Sequence, residues 1–150
     1  MLPAQRGDIL ELDELWSFVF AKCNKVWLWL ALCRRTRQVV AYALGDRSKA
    51  TCRLLWNRIP KDYRYKRTYT DFWEAYFAVV PERHHWPVYK DEGETNHVER
   101  FNNTLRQRLA RFVRKTLSFS KCLFMHECCV KIFLHDYNQR QADKWIVAQS

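Results

Sequence analysis

The residues most able to do chemistry are acids set among apolar neighbours. Three of them, Glu11, Asp13 and Glu14, fall in the run LELDELWSF from Leu10 to Phe18. A carboxylate in the middle of a buried strand is costly unless it is paired or holds a cation. Strand alternation puts Leu10, Leu12, Trp16 and Phe18 on one face with Glu14, and Glu11, Leu15 and Ser17 on the other with Asp13, so Asp13 and Glu14 are expected to point to opposite sides. Asp71 follows the short run YT and precedes FWEAYF, a strand-to-helix junction where sheet proteins commonly expose functional side chains. An aspartate there also serves as a helix N-cap. Glu99 lies in TNHVERFNNTLRQRLARF, whose apolar residues Val98, Phe101, Leu105, Leu109 and Phe112 form a helical core stripe. At about 100° per residue it sits on the shoulder of that stripe, with Asn103 and Arg106 on the same side. A surface partner at i,i+4 is the simpler role for it.

If the strand leading to Asp71 lies beside the first, carboxylates from a strand, a strand end and a helix converge on one point. Such a cluster repels itself unless cations fill it. Mg²⁺ (or Mn²⁺) suits hard oxygen ligands, and two such ions about 4 Å apart promote in-line displacement at phosphorus.

The elements needed to position these acids are legible in outline. Residues 9–20, 25–33 and 38–44 read as three strands of an antiparallel meander, closed by a turn at Gly45 and Asp46. A helix from the N-cap Ser48 to Pro60 is expected to bury Ala50, Leu54, Leu55 and Ile59. A strand at 66–70, a helix at 72–79, a strand at 86–90 and helices at about 95–113 and 120–137 complete the order. Because no crossover helix separates the first three strands, the fold class is α/β of the α+β kind, a mixed five-stranded sheet flanked by helices.

The totals narrow the function classes. With 48% hydrophobic residues in 150, the chain can fill one core, and the longest apolar run, VWLWLALC, is too short to span a bilayer. None of the six cysteines stands in a CxxC pair, so reduced thiols are expected in place of zinc or disulfides, which favours the cytoplasm. The net charge of +10 points to a polyanion, and between Arg100 and Lys121 there are seven bases and no acid. Arg100, Arg106, Arg108, Arg111, Arg114 and Lys115 are therefore read as phosphate contacts to DNA that position it without reading bases. Tyr63, Tyr65, Trp73 and Trp86 are candidates to stack on unpaired bases.

The blocks LDELW around Asp13, YTDFWEAY around Asp71 and NHVERFNNTLRQRLARFVRKTLSFSK from 96 to 121 resemble the insertion-sequence-one family of bacterial DDE transposases. The third block is the most specific, and the similarity runs from about residue 8 to residue 137. The resemblance implies an RNase H-like catalytic domain over 8–137, followed by a tail over 138–150. It implies catalytic, metal-binding acids at Asp13, Asp71 and Glu99, with Glu92 and Glu94 as neighbours of the third position. It also implies Mg²⁺-dependent cleavage and strand transfer on transposon ends and target DNA, by a homo-oligomer in a synaptic complex associated with the nucleoid. The N-terminal DNA-recognition part usual in the family is not expected in this chain. The alternatives are a DNA-binding fragment or inhibitor acting on a full-length transposase, and an RNase H-like nuclease that only hydrolyses.

Overall fold

The computed structural model describes residues 1–109 and 120–150. Five strands form one sheet: β1 (Ile9–Phe18), β2 (Lys25–Cys33), β3 (Val39–Gly45), β4 (Arg67–Thr70) and β5 (His85–Pro87), in the order β3-β2-β1-β4-β5. The β1–β2 and β2–β3 pairs are antiparallel, as short connections require, whereas β4 joins β1 and β5 joins β4 in parallel. This mixed sheet flanked by helices is consistent with the expected RNase H-like fold.

Helices cover both faces, because β2 is buried almost throughout and needs apolar cover on each side. On one face α1 (Lys49–Arg58) and α3 (Glu74–Val79) pack around Leu10, Leu12, Trp29 and Ala31. A short turn of helix, α2 (Lys61–Arg64), lies between α1 and β4. On the other face α4 (Asn96–Arg108) and α5 (Leu123–Gln149) close over Leu15, Leu28, Leu30 and Leu32 through Val98, Phe101, Leu105, Val130 and Leu134.

Several boundaries differ from the sequence reading, each for a local reason. Helix α1 is capped by Ser48, whose Oγ accepts from Thr51 N–H, but its buried side carries Thr51, Cys52, Leu55 and Trp56. Trp56 offers far more area than Ala50, which leaves Leu54 40% exposed. Helix α4 stops at Arg108, where Leu109 turns extended and packs partly against the second core. The expected continuation to 113, with Arg111, lies outside the described residues, as do Arg114 and Lys115. Helix α5 runs twelve residues past the expected end at Tyr137, since no Gly or Pro interrupts it. Asn138 pins its middle to β3, accepting from Val39 N–H and donating to Val39 O, both at 2.8 Å. Tyr63 is a core residue, 2% exposed, which removes it from the candidate base-stacking set. All six cysteines are free, with Cys33 and Cys52 buried.

Glu11 is the least expected core residue, fully buried in mid-strand. Its carboxylate accepts from the backbone N–H groups of His97 and Val98 at 2.9 and 3.0 Å, and ring Nδ1 of His97 and Nε of Arg34 lie at 2.6 and 2.7 Å. The first turn of α4 has no cap from its own Thr95, whose hydroxyl donates to Glu99 instead. Glu11 thus supplies from β1 the acceptor that the orphan N–H groups of α4 need. Burial pushes its carboxyl above the usual range, opposed by the Val98 N–H and by Arg34.

Glu11→Ala leaves Arg34 and the α4 N-terminus without their acceptor and should cost about 3 kcal/mol, read from denaturant midpoints. A loss below about 1 kcal/mol would show that the clamp contributes little. A second expectation concerns His85, whose ring lies 2.7 Å from Thr70 Oγ1 and which burial holds below the ordinary histidine range. The folded state favours the neutral ring. Its contribution is therefore complete above about pH 6.5 and is lost as pH falls through the lowered folded value. The melting temperature of His85→Gln should vary less between about pH 5 and 7 than that of the parent chain.

Candidate acidic site

The parallel ladder between β1 and β4 ends with Glu11 opposite Tyr69. Continuing that register by two residues brings Asp71, just past the end of β4, level with Asp13. Because β1 runs on beyond the last residue of β4, side chains from both of its faces can bend toward the same point. Carboxylate oxygens of Asp13, Glu14 and Asp71 all lie within 4.8 Å of one another. The alternation is real, since Asp13 meets α4 and Glu14 meets α3, yet it does not keep these two acids apart.

Each carboxylate is held differently. Asp13 Oδ2 accepts from Asn102 Nδ2 of α4 at 2.7 Å. Glu14 is 8% exposed and accepts from the Tyr76 hydroxyl at 2.6 Å and from Arg47 Nε and a terminal nitrogen at 2.9 and 2.7 Å. Burial pushes the Glu14 carboxyl up, against the Tyr76 and Arg47 bonds, and Asp71 adds to the rise. The Tyr76 hydroxyl, wholly buried, is raised well above the usual phenol range by burial and by the neighbouring acids. Arg47 is itself fixed, its guanidinium 4.0 Å from the Trp73 ring centre and 4.8 Å from that of Trp27. Asp71 Oδ1 accepts from Trp73 N–H at 3.0 Å, a turn-type bond of the kind expected at that junction.

Asp13 and Glu14 line a cleft of about 420 Å³ whose α4 wall carries Glu99, Asn102, Asn103 and Arg106. Glu99 therefore faces the same space as Asp13 and Glu14, on the helix shoulder expected for it, but is not among the three acids that gather. Glu94 is 2.9 Å from Arg34 in an ion pair, and Glu92 is exposed in a single helical turn over Lys90–Glu92. His97 serves Glu11 and lines a different cavity from the acids. Of the three described basic candidates, Arg106 lines the acidic cleft, while Arg100 and Arg108 line a cavity on the other flank of α4.

The donor set suits a hard divalent cation: carboxylate oxygens from three residues, two of them only partly buried. A second observation agrees. Asn102 is 4% exposed, and with Nδ2 given to Asp13 its Oδ1 is buried without a hydrogen-bond partner. A buried unpaired oxygen beside a carboxylate cluster offers a further neutral ligand to a cation or to a water. Glu14 was weighed among the acids of β1 but set on the face opposite Asp13, and Asn102 was given no role, although both stand within the quoted blocks. Their roles depend on which side chains the end of β4 leaves facing each other.

Residues 9–139 match the family model described as IS1 transposase. The insertion element iso-IS1n protein InsB of Shigella dysenteriae is 36% identical over 129 residues, 86% of this chain and 95% of that one. The insertion element IS1 protein InsB of Shigella flexneri is 35% identical over 135 residues, 83% of this chain and 92% of its own length. The insertion element IS1 4 protein InsB of Escherichia coli K12 is 34% identical over 125 residues, 83% and 72% respectively.

Tyr76→Phe removes one of the donors to the buried Glu14 carboxylate and should destabilise the fold by about 1–2 kcal/mol, measured by urea unfolding. Stability unchanged within error would mean that Arg47 alone satisfies Glu14.

Proposed function

The chain belongs to the IS1 transposase family, and from that premise we propose that it is a DDE catalytic domain that cuts DNA and joins strands when an insertion sequence moves. The observation that carries this reading is the gathering of Asp13, Glu14 and Asp71 at the end of β4, with Glu99 across the same cleft. Asp13 and Asp71 would hold a divalent cation, with Glu99 completing the catalytic set from α4. The chemistry such an ion, Mg²⁺ or Mn²⁺, would supply there is activation of a water or a 3′-hydroxyl and stabilisation of the leaving oxygen.

The chain's own side chains prepare that site. Asn102 fixes the rotamer of Asp13 from α4. Tyr76 and Arg47 hold Glu14 at the rear of the cluster, where its charge adds to the cation's attraction. Arg106, in the wall of the cleft, meets the phosphates on either side of the scissile one. Arg100 and Arg108 extend the DNA surface around the helix, with Arg111, Arg114 and Lys115 continuing it in sequence. The working form is a homo-oligomer that brings two DNA ends and a target together. Among the described residues no helix is long and apolar enough to cross a membrane, and a nucleoid-associated, cytoplasmic enzyme fits that.

The test is cleavage and strand transfer on supercoiled plasmid and on DNA with pre-cut 3′-hydroxyl ends, in Mg²⁺ or Mn²⁺. Asp13→Asn and Asp71→Asn should each lower both reactions by about 10²-fold or more, with Glu99→Gln close to them and Glu14→Gln milder. Activity kept by Glu99→Gln but lost in Glu14→Gln would move the third acid to β1. Cutting without joining would mark a nuclease, and salt-sensitive DNA binding with neither reaction would mark a DNA-binding module.

A further inference from the structure

Helix α4 carries two polar stripes, separated by the core stripe of Val98, Phe101 and Leu105. One stripe faces the acids. The other, through His97, Arg100, Thr104 and Arg108, walls a second cavity of about 320 Å³, closed by Arg37 after β2 and by Tyr137, Gln141 and Lys144 of α5. Four cations from three separate parts of the chain converge here, and among the described residues no carboxylate lines the space.

The nearest acid is already committed. Glu11 lies close enough to act on Arg37, but its oxygens take the His97 and Val98 N–H groups, the His97 ring and Arg34. Arg34, Arg35 and Arg47 each pair with a buried acid of β1 or the segment before it. Among the described residues Arg37, Arg100, Arg108 and Lys144 have no such partner. Burial pulls the Arg37 guanidinium below its ordinary range, opposed first by Glu11, while Arg100 and Arg34 add to the fall. Arg37 also adopts a left-handed backbone, φ 59°, which non-glycine residues seldom do. A merely solvated basic face would intersperse acids and would not draw a guanidinium inward.

We propose that this cavity binds a backbone phosphate of a DNA strand lying on the flank of α4 away from the acidic cleft. The assignment to DNA rests on the transposase reading above, whereas the affinity for phosphate follows from the convergent cations. Guanidinium forks match the paired oxygens of a phosphodiester, and Gln141 adds a neutral donor. A helix is only about 10–12 Å across with its side chains, so α4 would stand as a narrow wall between two nucleic-acid contacts.

The experiment measures duplex DNA affinity across a salt series, alongside titration with inorganic pyrophosphate at low ionic strength. The chains compared are the parent, Lys144→Gln, Arg37→Asn with Lys144→Gln, and Lys131→Gln. Asparagine tolerates the left-handed backbone at 37, and Lys144 is exposed on a helix, so neither change endangers the fold. Lys131, on another face of α5 and near Glu127, controls for the loss of one charge. The proposal expects the two pocket variants to lose DNA affinity several-fold and the double variant to flatten the salt slope by about one unit, with Lys131→Gln unchanged. DNA binding by the parent that the pocket variants keep would overturn the pocket and leave the transposase reading intact. Pyrophosphate binding lost in the pocket variants of a chain that does not hold DNA would overturn the DNA assignment in favour of a small phosphorylated ligand, and would count against that reading too. Binding of neither probe would overturn both.

Discussion

One buried negative charge sets the relation between the sheet and α4. Glu11 stands in the middle of β1, where an ion without partners would be prohibitively costly, and its compensation comes chiefly from the first turn of that helix. The helix in turn lacks a cap of its own. Each element satisfies a deficit in the other, so the helix can sit at one position along the strand and at one rotation about its axis. The Asn102–Asp13 bond and the division of the helix surface into two polar flanks both follow from that fixed placement.

The acids gather for a different reason, the unequal length of neighbouring strands. Ten residues of β1 run beside four of β4, so the longer strand outlives its partner. Past that point the rule that adjacent side chains diverge loses its force, because carboxylates on short flexible stems can turn round the free edge. Asp71, hanging from the end of the shorter strand, meets one acid from each face. The bulk of Trp29 and Tyr76, in edge-to-face contact, fills the space behind and keeps Glu14 turned toward the cluster.

Much of this was legible from the chain alone. The three-strand meander, Ser48 as a cap, the strand before Asp71 and the stripe on α4 depend on local pattern and appear where expected. The α4 stripe even put Glu99, Asn103 and Arg106 on one side. What local pattern cannot carry is the difference in length between two strands distant in sequence, and that difference decides where Glu14 ends. Glu11 escaped for a similar reason, since an acid capping a helix some 86 residues away leaves no trace in its own neighbourhood. On α1 the expected Leu55 and Ile59 are buried, while Ala50 and Leu54 are not, because volume, through Trp56, outweighed simple periodicity. Helix α5 runs beyond its expected end at Tyr137, and Asn138, the next residue, pins it to β3 by bonds to a strand 99 residues away that its own neighbourhood does not show.

The His97 contact to Glu11 gives α4 a further property. The helix forms a wall of both cavities, and its start is locked by the same carboxylate whichever side is considered. Because Glu11 holds the helix at one setting, the spacing between the acidic wall and the basic wall is fixed by the fold. The two flanks of one thirteen-residue helix thus act as a ruler, a single rigid element with no loop between the surfaces it separates.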